Sequence, residues 1–230
     1  MNKPIVASRI KVLSWNIDGH ISLKLSCPTF LNIIKSNHIV LMQETHLTPG
    51  HHRTLAVPQS YQMFCISRKY KEAYCRPFGG VVAFVRDGIH VTFHENLSSP
   101  NVMILETSAF LIIHAYILPE GSRWEGFTDN HPYQKLTEVL SLLVTMNKPL
   151  LLMGDLNART ECLSPLQNLL RESLNRKAPS MRGKALVQLC ADLELAIANG
   201  LPNLGEKNGG YTSFQALGSA VVDYLIINMA

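Results

Sequence analysis

Cysteine is too sparse and too scattered to organise this chain. Cys27, Cys65, Cys75, Cys162 and Cys190 are odd in number, form no CxxC pair and have no histidine at zinc spacing. That pattern excludes a disulfide framework and a structural zinc site, and suits a reducing compartment. Long apolar runs are missing as well. Phe110 to Ile113 and Pro149 to Met153 fall far below the roughly 18 residues of a membrane span. The N-terminus lacks a basic region followed by an apolar core, so no membrane partner or secretion is expected, and the location is nuclear or cytoplasmic. Repeats and low-complexity tracts are absent. Charge of one sign is also lacking: 17% charged residues with a net +4 are too few for a disordered chain. The small positive excess permits a polyanionic partner without demanding one.

What is present is core-forming material, 47% apolar over 230 residues, enough for a single domain spanning 1–230. Short aliphatic or β-branched runs recur at Ile10–Trp15, Ile39–Met42, Tyr61–Ile66, Val81–Val85, Phe110–Tyr116, Leu150–Met153 and Val221–Ile227, most bounded by Gly, Pro, Asn or Asp. These read as strands. Helical faces lie between some of them: Phe30, Leu31, Ile33 and Ile34; Leu136, Val139, Leu140 and Leu143; Leu186, Leu189, Cys190 and Leu193. Several strands are apolar on consecutive residues and must be covered on both faces, which predicts an α/β fold of packed sheets with helices outside.

Two stretches concentrate positive charge. Arg171 to Lys184 carries Arg171, Arg176, Lys177, Arg182 and Lys184 against Glu172, and Pro179, Ser180 and Gly183 make it read as an irregular loop. The other holds Arg68, Lys69, Lys71 and Arg76 against Glu72, just before Gly79-Gly80. Either alone is an ordinary solvated loop. Two beside a carboxylate site would suit a phosphate backbone.

The acidic and amide residues stand where strands end. Asn16 closes the first strand in SWNIDG, Glu44 the second in LMQETHL, and Asp155 and Asn157 follow LLLMG, while Asp223 interrupts Val221–Ile227. Turn capping also places Asp and Asn at strand ends. A carboxylate on a buried strand, however, costs desolvation energy unless paired, hydrogen-bonded or bound to metal. Four such places at one sheet edge would make a cation site. Asp155 and Asn157, two apart in an extended segment, point to one face.

Taken in order, SWNIDG, LMQETHL, GGVVAFVRDGI, HAYILP, LLLMGDLNART, LELAIANG, GYTSF and SAVVDYLI resemble the endonuclease/exonuclease/phosphatase superfamily. They look most like the apurinic-type endonuclease domain of LINE-like (non-LTR) retrotransposons, from about Arg9 to the last residue. The resemblance implies a two-sheet α/β sandwich of the deoxyribonuclease type with helices packed outside. It also implies magnesium-dependent phosphodiester hydrolysis with Mn2+ as the alternative ion, DNA as partner, and a monomer fused to a reverse transcriptase in the parent element.

Carried over by motif, Glu44 matches the metal-binding glutamate and Asn16 the amide that positions metal and phosphate. Tyr116 matches the phosphate-contacting tyrosine. Asp155 corresponds to the residue that activates or orients the attacking water, and Asn157 to its supporting amide. Thr212 falls on the threonine near the DNA backbone, and Asp223 on the aspartate that orients a catalytic histidine. Arg68, Lys69, Arg176, Lys177 and Arg182 are the candidate phosphate contacts from the basic stretches.

The family pattern continues beyond the VDY strand to a Ser-Asp-His motif and one more strand. No SDH occurs here, and all nine histidines, from His20 to His131, precede Asp155. His46, beside Glu44, is a candidate to support it. The resemblance therefore leads to the expectation of a truncated domain with weak or no nuclease activity and an unprotected sheet edge near Val221–Ile227. Other phosphodiesterases of the fold, acting on RNA, sphingolipid or inositol phosphates, and a nonenzymatic nucleic-acid binding module are the alternatives.

Overall fold

The computed structural model describes residues 9–68, 78–122, 132–175, 177–202, 209–215 and 218–228; Lys69 and Arg176 lie outside the described residues. The elements, in chain order, are β1 (Val12–Asn16), α1 (Ile21–Leu25), α2 (Pro28–Lys35), β2 (Ile39–Gln43), β3 (Tyr61–Ile66), β4 (Val81–Arg86), β5 (Thr92–Phe93), β6 (Val102–Glu106), β7 (Leu111–Tyr116), α3 (Pro132–Leu143), β8 (Leu150–Asp155), α4 (Met181–Asp192), β9 (Leu195–Ile197), β10 (Ser213–Gln215), β11 (Gly218–Ala220) and β12 (Asp223–Asn228). They form a four-stranded sheet ordered β1-β2-β4-β3, a six-stranded sheet ordered β5-β6-β7-β8-β12-β9, and the β10-β11 hairpin. This is the expected α/β sandwich.

Two compact units divide the chain: residues up to 108 with 114–116, and residues 109–113 with 117 onward. In the first, β2 is buried along its whole length, paired parallel to β1 and antiparallel to β4. Its residues alternate between two cores, as the two-residue period of a strand requires. Val40 and Met42 pack with Ile21, Leu25, Phe30 and Ile34 of α1 and α2. Gln43 points to the opposite face, where its Nε2 lies 2.7 Å from Nε2 of His114 on β7. Phe64 of β3 meets Phe93 of β5 with ring centroids 5.8 Å apart, a second contact between the sheets.

In the second unit β12 pairs antiparallel with β8 on one side and β9 on the other. The expectation of an open edge at Val221–Ile227 is therefore corrected. Leu195–Ile197, a three-residue run too short to stand out in sequence, supplies the outer neighbour. A second correction concerns the Arg171–Lys184 stretch, whose last part is helical. Ser180 caps α4, its Oγ accepting from Gly183 N at 3.0 Å, which satisfies an N–H that the first helical turn leaves free. Gly183 is needed there because a Cβ would stand 1.8 Å from the Arg159 carbonyl oxygen.

Candidate functional site

In the first unit two loops, one after β1 and one after β2, are stitched together. Ile17 N donates to Gln43 O at 3.1 Å and Gly19 N to Glu44 O at 2.6 Å. Thr45 N and His46 N donate to the carbonyls of Gly80 and Gly79 at 3.3 and 2.9 Å. Lys24 of α1 donates from Nζ to the Ile17 and Gly19 carbonyls, holding the first loop from behind. Asp18, Glu44 and His46 all have positive φ, of 48°, 51° and 55°. Backbone strain of this kind clusters where side chains are held for a task.

This scaffold gathers Asn16, Glu44, Tyr116 and Arg68 around a half-buried carboxylate. Tyr116 Oη donates to Glu44 Oε1, and His46 Nε2 lies 3.7 Å from Glu44 Oε2. Burial acts to raise the Glu44 pKa, but hydrogen bonds from His46, Tyr116 and Asn16 outweigh it and hold the carboxyl below its ordinary value. Asn16 Oδ1 also accepts from Asp18 N at 3.0 Å. Arg68 is buried, donates to Asn101 Oδ1 and lies over the Phe78 ring, 4.8 Å from its centroid. Burial pulls its pKa down to about 10, opposed by nearby Tyr116 and Glu44.

The second unit assembles the other carboxylates. Asp155, buried at the end of β8, accepts from Asn157 N on Oδ1 at 2.9 Å, and Asn157 Nδ2 donates to Ile117 O at 2.8 Å. Asp223 stands directly across the ladder from Asp155. Its pKa is raised by burial, with the Thr212 hydroxyl pulling the other way. Thr212 Oγ1 accepts the backbone N–H of both Val222 and Asp223, at 3.0 and 3.1 Å. Asn199 closes the frame from the other side, Nδ2 donating to Asp223 O at 3.1 Å and Oδ1 accepting from Leu225 N at 2.8 Å.

The basic residues divide by burial. Lys177 is exposed. Arg182 is buried with its guanidinium on the Leu118 carbonyl, and Arg171 is buried on the carbonyls of Asn199 and Leu163. Sequence reading passed over Asp18, Asn199 and Lys24. The first two were in view inside SWNIDG and AIANG; Lys24 had no signal, because its role depends on how α1 folds back on the loop.

Residues 13–217 match the Endonuclease/Exonuclease/phosphatase family, and the chain belongs to it. Among curated relatives, a DNA-(apurinic or apyrimidinic site) endonuclease of Dictyostelium discoideum is 26% identical over 221 residues, covering 92% of this chain and 58% of that protein. The chain thus spans less than two thirds of that relative's length. Solved structures with the same fold include three nucleic-acid enzymes. AP endonuclease LMAP from Leishmania major has a TM-score of 0.69 at 14% identity, covering 95% of this chain and 79% of that one. The endonuclease domain of TRAS1, a telomere-specific non-LTR retrotransposon, gives 0.60 at 16%, covering 96% and 85%. The 3′ phosphatase NExo from Neisseria, bound to product DNA hairpin, gives 0.63 at 17%, covering 96% and 87%.

Proposed function

We propose that the chain is a divalent-metal-dependent DNA endonuclease of retrotransposon type, cleaving phosphodiester bonds by attack of water on phosphorus. The observation that carries this reading is the Asp155–Asn157 turn with Asp223 in register across the ladder. It sits within a chain whose motif order is that of a phosphodiesterase family.

The donor set suits a hard cation. Glu44 is held ionised, and Asn16 and Asp18 place further oxygens on the adjoining loop. Glu44 with Asn16 would hold the ion, Mg2+ or alternatively Mn2+, with waters completing the shell. When bound, it supplies positive charge to the nonbridging oxygens of the phosphate.

The remaining roles belong to side chains. Asp155 accepts the proton of the attacking water, and Asn157 keeps that carboxylate oriented through its own N–H. Tyr116 presents its hydroxyl to the phosphate from its anchorage on Glu44. Thr212, exposed beside Asp223, lies along the nucleic-acid backbone, and Asp223, hydrogen-bonded by the Thr212 hydroxyl, takes the place of the aspartate that orients the family's catalytic histidine. Among the described basic residues Lys177 has its charge free for phosphates, while Arg68 and Arg182 act from buried positions on the loops they hold.

Supercoiled plasmid with Mg2+ tests the reading. Nicking, expected to be weak in a chain that carries no Ser-Asp-His motif, should require Asp155 and Glu44, with Asp155→Ala and Glu44→Gln each losing at least about 100-fold, the scale of removing a group that acts in the transition state. Equal nicking by Asp155→Ala would overturn it, as would a preference for RNA, sphingolipid or inositol phosphate over DNA.

A further inference from the structure

We propose that His46 gives a nitrogen ligand to the cation assigned to Glu44, so that the centre is a mixed oxygen–nitrogen site favouring Mn2+ over Mg2+. This rests on the metal-dependent reading above and refines the site's first coordination sphere.

Asp18, Glu44 and His46 each offer one ligand atom, and these atoms all lie within 4.8 Å of one another, the one such group of three His, Cys, Asp or Glu among the described residues. Around an octahedral ion at about 2.1 Å, cis ligands stand roughly 3.0 Å apart and trans ligands roughly 4.2 Å. The 3.7 Å between His46 Nε2 and Glu44 Oε2 falls between these values. Small side-chain adjustments therefore bring all three donors onto one ion.

The ring is held for this purpose. His46 packs on Gly19, where a Cβ would stand 2.4 Å from Nδ1. The Nδ1 edge is thereby turned to the loop, and Nε2 is left on the side of Glu44. His46 N is tied to Gly79 O at 2.9 Å, Gly19 N to Glu44 O at 2.6 Å, and Lys24 Nζ to the Gly19 carbonyl at 3.0 Å. The three donors thus come from two loops fixed to each other through the backbone. A simple surface ion pair between His46 and Glu44 would contribute little and would need no second carboxylate at Asp18.

The consequence is metal preference. Mg2+ is hard and takes oxygen ligands almost to the exclusion of imidazole, whereas first-row transition ions accept nitrogen readily. One imidazole in the shell shifts relative affinity towards Mn2+.

Pulsed EPR on the Mn2+-loaded wild-type chain reads the bond directly, without activity and without a variant. The expected result is the 14N modulation of a directly bound imidazole, converted to a 15N signal by histidine labelling. In calorimetry, His46→Gln should weaken Mn2+ binding by at least about tenfold while changing Mg2+ binding far less. Mn2+ bound without nitrogen coupling, or His46→Gln weakening both ions equally, would overturn the ligand assignment while leaving the Glu44 site intact. Failure of wild type to bind either ion would overturn both readings.

Discussion

Asp155 and Asp223 face each other across the β8–β12 ladder, Cα opposite Cα, so that two carboxylates project from one face of the sheet at adjacent positions. Like charges so placed oppose each other's ionisation unless hydrogen bonds or a cation compensate. Asn157 N–H supports Asp155 and Thr212 supports Asp223. Asp155 is the last residue of β8 and Asp223 the first of β12, so the pair lies at the end of the ladder.

The raised pKa of Asp223 makes a stability prediction. The folded chain holds this proton more tightly than the unfolded one, so stability is lost as pH rises through the folded pKa. Asp223→Asn should therefore melt higher than wild type at neutral pH, by roughly 2–4 °C for each kcal/mol recovered, while plasmid nicking falls. Differential scanning calorimetry beside the nicking assay checks both halves; a lower Tm in the variant contradicts the pairing.

Thr212→Val should push the Asp223 carboxyl pKa further up. The threonine hydroxyl is the hydrogen-bond donor that opposes burial at Asp223. Carbon-detected NMR titration of the aspartates follows the change, and an unmoved Asp223 would remove Thr212 as its partner.

On the other loop, Tyr116→Phe removes a donor that helps keep Glu44 ionised. The Glu44 carboxyl should titrate at higher pH in the variant, and divalent-ion affinity should decline more steeply on acidification than in wild type. Isothermal titration with Mn2+ at two pH values measures this.

His114 is fully buried, its Nδ1 finds no partner, and burial drives its pKa from an ordinary 6.5 down to about 3. Between those values the unfolded chain binds a proton that the folded chain refuses, so stability is fully present above the ordinary pKa and drains away on acidification. Urea unfolding should show about 2–3 kcal/mol lost from this source between about pH 6.5 and about pH 4.5. The acid slope should be shallower in His114→Leu; identical slopes would refute it.

Gly183→Ala tests the start of α4. Alanine gains about 1 kcal/mol of helix propensity over glycine, yet its Cβ would meet the Arg159 carbonyl at 1.8 Å, and the backbone must move. We expect a net loss of about 2 kcal/mol, read by chemical denaturation. A stabilised variant would mean the two segments separate freely.

Seven strands and three helices were legible because their signals are local. Runs such as Ile39–Met42 and Val81–Val85 are apolar on consecutive residues, and alternation or a helical face needs only a short window to be seen. The motif residues Asn16, Glu44, Asp155, Asn157 and Asp223 were legible for the same reason, each interrupting or closing such a run. The two-residue β5 and three-residue β9 were not, being too short to carry a period. The start of α4 was hidden by Ser180 and Gly183, residues that resemble a loop until the cap and the close approach to Arg159 are seen.

Chemistry and order along the chain are properties of the sequence, and so family membership could be read from motifs alone. Partners far apart in the chain are not. That Gln43 meets His114, that Asp223 stands opposite Asp155, that Arg182 spends its charge on Leu118 O, and that β12 lies inside its sheet all follow from register and close packing. Those are set by the joint burial of segments tens of residues apart, where each contact depends on all the others being made.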